Sequence, residues 1–245
     1  ALLADAFVPD GRGPFPGIVL LHGGAFTKGS RSRCRAWGEY LAARGVVALA
    51  ADYRLAAAGR PSYPAAILDA KAALRYLRAS AADLKVDVER VGILGGSAGA
   101  YLAAMVALTG DEPALSDPDA GPSSGVSARV DVAILMAGTF DLLARWEHDR
   151  SHRAPDDQPA ELFLGGTPMS ARRRYYEASP VFYASEQAAR PVRWLIAWGT
   201  DDENTPPADH SERFAHLLTL AGALVRVVPI PGAPHYWSID AAVDD

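Results

Sequence analysis

Short, mostly apolar runs recur along the chain at residues 17–21, 46–51, 91–94, 130–136, 192–198 and 224–229. The continuous runs at 17–21 and 46–51 are the pattern of strands buried on both faces, and the others read as strands too. The intervals between them carry helical spacing. Trp37 and Leu41 share one face of 34–44, closed by Gly45. Ile67, Ala70, Leu74 and Leu77 do so from Pro64 to about 80, with Pro64 suited to a first helical residue. Leu102, Met105, Val106 and Thr109 mark 98–109, and Phe214, Leu217, Leu218 and Ala221 mark 207–221, stopped by Gly222. A short strand at 4–8 precedes all of these. Buried strands alternating with amphipathic helices predict an α/β fold with a mostly parallel central sheet flanked by helices. Residues 110–128 are rich in Gly, Pro, Ser and Asp and read as a surface loop. From 138 to 190 the pattern blurs, with too few apolar residues for a separate core. That stretch reads as a small cap-like insertion after the strand at 130–136, lying over the site within one domain of residues 1–245.

Composition narrows the function classes. The chain has 245 residues, 49 % hydrophobic, enough for a large core, and a formal charge of −5. It carries no electrostatic footprint for nucleic acid or an anionic membrane. The local basic cluster Arg172-Arg173-Arg174 reads as a solvated helix face. One cysteine, Cys34, excludes an internal disulfide and a Cys-based zinc site. No stretch of 18 apolar residues predicts a membrane span. The pattern calls for no metal or cofactor. Oligomeric state stays open, a dimer included, as do compartment and any leader ahead of Ala1.

The chemistry centres on Gly95-Gly96-Ser97-Ala98-Gly99. An apolar strand leads in, a helical pattern leads out, and the serine falls at the apex, which is the layout of a nucleophile elbow. A serine hydroxyl needs a base, the base an orienting carboxylate, and the oxyanion N–H donors. On this type of fold the acid and then the base follow the serine on later loops. Trp198-Gly199-Thr200-Asp201-Asp202-Glu203 ends the penultimate strand; Asp202, third after Gly199, is the choice of acid, with Asp201 as the alternative. His235 follows the last strand and is the base, whereas His210 and His216 fall in a predicted helix and His148 and His152 in the insertion. His22-Gly23-Gly24-Ala25 ends the first buried strand. The N–H groups of Gly24 and Ala25, with that of Ala98, are the oxyanion donors, and Gly23 is the reserve. His22 itself reads as a structural hydrogen-bonder to this loop.

On these residues, the chain resembles the esterase/lipase branch of the α/β-hydrolases that carries a His-Gly-Gly oxyanion motif. Within it, the chain looks most like the acetyl-xylan and feruloyl esterase-like carboxylesterases, with kynurenine formamidase a cousin. The matching pieces are His22-Gly23-Gly24-Ala25-Phe26, Asp52-Tyr53-Arg54-Leu55, Gly95-Gly96-Ser97-Ala98-Gly99-Ala100, Leu164-Gly165-Gly166-Thr167, Ala178-Ser179-Pro180, Gly199-Thr200-Asp201-Asp202 and Pro234-His235. Two departures stand out. Ala25 replaces the third glycine of His-Gly-Gly-Gly, and the family's closing helix after the histidine is cut short at Asp245.

The resemblance implies an α/β-hydrolase fold and a serine carboxylesterase working through an acyl-enzyme on Ser97. Its partner would be a small-molecule ester, short-chain acyl or aryl, with acetylated or feruloylated plant polysaccharide among the candidates. Phe26, Trp198 and Tyr236 are the expected substrate contacts, as aromatic rings near the site that can stack on an aryl or sugar ring. Trp146, Tyr101 and Trp237 lie near it in sequence, with core packing as the plainer reading. The alternatives are an arylformamidase-like amide hydrolase and a non-enzymatic ligand-binding protein on a hydrolase scaffold.

Overall fold

A computed structural model describes residues 2–115 and 125–237. Part of the 110–128 loop, and the chain after Trp237 where a closing helix was expected to begin, lie outside them. Seven strands form one sheet: β1 (Ala4–Phe7), β2 (Phe15–Leu21), β3 (Val47–Ala51), β4 (Val86–Gly96), β5 (Val132–Met136), β6 (Arg193–Gly199) and β7 (Leu224–Ile230). Their order is β1-β3-β2-β4-β5-β6-β7. All neighbours are parallel except β1, which runs antiparallel to β3.

The helices pack on both faces. On one, Trp37 and Leu41 of α1 (Arg35–Ala42) cover Ile18, Leu20, Ala48, Ala50 and Leu94. On the other lie α2 (Ala65–Ala79), α4 (Ala98–Thr109) and α9 (Ser211–Leu220). The short α3 (Ala81–Leu84) links α2 to β4. All 12 residues of α4 are buried, as a helix apolar on every side must be. The last predicted helix starts later than expected, at Ser211, because Pro206 and Pro207 precede it in a turn that leaves His210 just outside.

The 138–190 segment holds α5 (Leu142–His152), α6 (Pro159–Leu164), α7 (Arg172–Glu177) and α8 (Glu186–Ala189). Phe163, Leu164, Tyr175, Ala178 and Val181 of this segment join the same core as α4. Asp141 caps α5, accepting from the N–H groups of Leu143 at 2.9 Å and Ala144 at 3.1 Å. Among the described residues, no helix is long and apolar enough to cross a membrane.

In register, Leu21 of β2 lies beside Gly95 of β4, and Gly96 beside Met136 of β5. The loops after β2, β4, β5 and β6 therefore leave the same edge of the sheet. Open parallel sheets place their ligand sites at this carboxyl edge.

Candidate active site

β4 delivers Ser97 into a backbone conformation that side chains avoid, with φ 52° and ψ −118°. Its N–H is anchored to the Met136 carbonyl at 2.8 Å. The flanking glycines allow close contact: a Cβ on Gly95 would stand 2.2 Å from the Gly99 carbonyl oxygen, and one on Gly99 2.1 Å from that of Leu21. Strand, elbow and helix meet at backbone distance, and the hydroxyl stands clear of the sheet.

Ser97 Oγ lies 3.0 Å from His235 Nε2. His235 Nδ1 lies 2.8 Å from Asp202 Oδ2. A carboxylate only accepts, so Nδ1 carries the proton and donates, and Nε2 is left to accept from Ser97. Asp202 is held on every side. Its Oδ1 accepts from the N–H groups of Asn204 at 3.0 Å and Thr205 at 2.8 Å, and its Oδ2 also accepts the Thr205 hydroxyl at 2.7 Å. Burial alone raises its pKa, but the hydrogen bond and charge of His235 and the bonds from Thr205 outweigh that and hold the carboxyl below its ordinary value. Asp201, by contrast, is exposed and its carboxylate accepts the Thr200 hydroxyl. Thr205 was not singled out by sequence reasoning; its signal is a hydroxyl three residues after the acid.

Facing the serine, the loop after β2 turns tightly at Gly24, whose carbonyl accepts from Thr27 and Lys28. With φ 130°, Gly24 has no room for a side chain: a Cβ would meet the Lys28 carbonyl at 1.9 Å. Ala25 follows with φ 51°, so the residue in place of the family's third glycine takes the left-handed conformation despite its Cβ. Among the described residues, neither Gly24 nor Ala25 donates its N–H to a backbone carbonyl. Ala98 opens α4, so its N–H has no carbonyl one turn earlier in the helix. His22 supports the loop from behind. Its Nδ1 lies 2.7 Å from the Gly23 carbonyl oxygen, and its ring stacks on Tyr53 at 4.3 Å. Tyr53 donates its hydroxyl to the His22 carbonyl at 2.8 Å, and Arg54 pairs with Asp69 of α2. The Asp52-Tyr53-Arg54 stretch thus braces this loop against α2.

A cleft of about 430 Å³ opens over these groups, lined by Gly23–Lys28, Ser97, Ala98, His235 and Tyr236 and, from the 138–190 segment, Arg145, Arg153, Asp157 and Pro159. Of the expected substrate contacts, Tyr236 is exposed at its rim and packs edge-on against His235. Phe26 borders the cleft, but its ring is buried, stacked on Phe163 and edge-on to Tyr101. Trp198 is a correction. Alternation along β6 puts it with Trp194 and Ile196 in the core, and it does not line the cleft. Tyr101 is fully buried, and Trp146 donates its Nε1 to Glu161 and packs on the core.

The sheet order, the antiparallel edge strand and a serine, histidine and carboxylate gathered at the carboxyl edge define an α/β-hydrolase. The sequence profile of the BD-FAE family matches residues 5–218, and the chain belongs to that family. Among curated relatives, esterase LipQ of Mycobacterium tuberculosis is 28 % identical over 93 % of this chain and 52 % of its own length. The chain spans about half the length of the curated relatives it matches. Among solved structures, the thermophilic esterase Est2 of Thermogutta terrifontis is 29 % identical with a TM-score of 0.76, covering 96 % of this chain and 79 % of that one. An acetyl ester-xyloside bifunctional hydrolase from Caldicellulosiruptor lactoaceticus shares the fold, with a TM-score of 0.81 at 24 % identity over 98 % of this chain and 81 % of that one.

Proposed function

We propose that the protein is a serine carboxylesterase acting on short-chain acyl or aryl esters of small molecules through an acyl-enzyme on Ser97. The observation that carries this reading is the hydrogen-bonded series Ser97–His235–Asp202 opening onto a cleft that also holds the Gly24–Ala25 turn and the start of α4. His235 Nε2 takes the Ser97 proton as Oγ attacks the ester carbonyl. The N–H groups of Gly24, Ala25 and Ala98 hold the oxyanion, each donor contributing roughly 3–4 kcal/mol to the transition state. The imidazolium then protonates the leaving alcohol, and water repeats the sequence on the acyl-enzyme. Asp202 fixes the imidazole tautomer and stabilises its cation. The related Est2 has been seen with propionate bound and phosphorylated by paraoxon. Both facts favour a short acyl group and a reactive nucleophile in this chain too.

The test is a series of p-nitrophenyl esters from acetate to decanoate, with methyl ferulate, acetylated xylan and N-formylkynurenine added. We expect activity to peak at short acyl chains and Ser97→Ala to lose on the order of a millionfold in kcat. More than a few per cent of activity left in Ser97→Ala overturns the nucleophile assignment. A peak at ten carbons, or formylkynurenine turned over in preference to every ester, overturns the substrate class.

A further inference from the structure

The cleft has a charge that ester hydrolysis as such does not require. The chain is acidic overall, at −5, yet Lys28, Arg33, Arg145 and Arg153 line the cleft against one acid, Asp157. Arg145 lies on α5 and Arg153 just beyond it. Both hold Asp149, which is 0 % exposed: Arg145 Nε reaches Oδ2 at 2.9 Å and Arg153 Nε reaches Oδ1 at 2.9 Å. Asp157 pairs with Arg153 at 2.6 Å. Two carboxylates thus balance two guanidiniums in number but not in position. Asp149 is sealed behind the wall, and both arginines border the cavity.

Arg145 has one terminal nitrogen to spare. Its Nε serves Asp149 and its Nη1 donates to the Asn204 carbonyl at 2.8 Å. Its Nη2 has no protein partner among the described residues. The residue is 5 % exposed and borders the cleft that holds Ser97. A donor on a fixed cation at the edge of the interior meets little competition from water and bonds an anion more strongly than a neutral acceptor. Lys28, from the loop after β2, is exposed and pairs with no carboxylate among the described residues. One placed guanidinium donor and one lysine match a carboxylate.

We propose, resting on the esterase reading above, that the cleft selects esters bearing a carboxylate a few bonds from the scissile carbonyl. Arg145 Nη2 is the positioned contact, and Lys28 supplies the longer-range attraction. A neutral ester makes neither contact and forgoes that binding energy.

Two matched pairs of substrates read this out. Mono-p-nitrophenyl adipate against p-nitrophenyl hexanoate puts the charge on the acyl side; 4-acetoxybenzoate against 4-acetoxybenzamide puts it on the alcohol side. With each rate normalised to hydroxide-catalysed hydrolysis, the charged member of one pair should exceed its neutral partner about tenfold in kcat/KM at low ionic strength. The pair that shows the gain identifies the side. The ratio should shrink in 1 M salt, where the screening length falls to about 3 Å. Removing the Arg145 guanidinium strands Asp149 and risks the fold, so the variants are Arg145→Lys and Lys28→Gln. In each, the charged-to-neutral ratio should fall several-fold. Ratios at or below one in both pairs, or a ratio unmoved in both variants, overturn the proposal while hydrolysis of the neutral esters leaves the esterase reading standing. If no ester is turned over and a fluorophosphonate fails to label Ser97, the esterase reading falls and this one with it.

Discussion

Asp202 and Asp201 are chemically identical neighbours, and what separates them is where the chain aims each side chain. Asp202 points inward and fills both carboxylate oxygens with donors from Asn204, Thr205 and His235. Asp201 points to water. Spacing from Gly199 favoured Asp202, but only the turn geometry assigns the direction. Its sequence trace is Thr205, whose hydroxyl closes back on the acid. We expect Asp202→Asn to keep the fold and lower kcat on the order of ten-thousandfold, since an amide that donates to Nδ1 forces the wrong imidazole tautomer. Steady-state kinetics beside a circular dichroism melt checks this; a loss under tenfold at unchanged melting temperature would remove Asp202 from the mechanism.

Among the elements, α4 and β4 were the most legible from the sequence. An apolar run, a Gly-x-Ser-x-Gly turn and a second apolar run leave little choice of structure. Trp198 was misread because nearness to a site along the chain says nothing about which face of a strand a residue occupies. α5 was illegible for a different reason. Its inward positions are Leu142, Arg145 and Asp149, with Trp146 packed beside them, so a buried charge pair interrupts the usual apolar stripe. The readable signal was the spacing of Arg145, Asp149 and Arg153, one helical turn apart each time. The tight fit of α4 makes a prediction with an unusual sign. Helix propensity alone favours alanine over glycine by about 1 kcal/mol. At Gly99 the added Cβ meets backbone of β2 that no rotamer change can move, so Gly99→Ala should instead destabilise by roughly 1–3 kcal/mol. Urea denaturation decides the sign, and a stabilised variant would contradict the packing described for the elbow.

At the level of the whole molecule, acid sensitivity should trace to a residue outside the chemistry. His210 is fully buried before α9, where its Nδ1 accepts from the Phe140 N–H at 3.4 Å. Burial, with the nearby Arg145 charge, lowers its pKa to about 3. The unfolded chain takes up this proton near pH 6.5 and the folded one only near 3. The stability that the neutral ring contributes is therefore complete above pH 6.5 and lost progressively as pH falls toward 3, in total on the order of 4–5 kcal/mol. Denaturation of wild type and His210→Gln across this range should show the variant losing less; equal losses would refute it. Ser97 has a global consequence of another kind. Its positive φ is a conformation glycine adopts without steric strain, so the nucleophile holds the fold above its own energy minimum by about 1–3 kcal/mol. Ser97→Gly should unfold at a higher temperature than wild type. A library of variants sorted only for resistance to heat would then drift toward the inactive chain, and glycine at this one position would be the first mark of it.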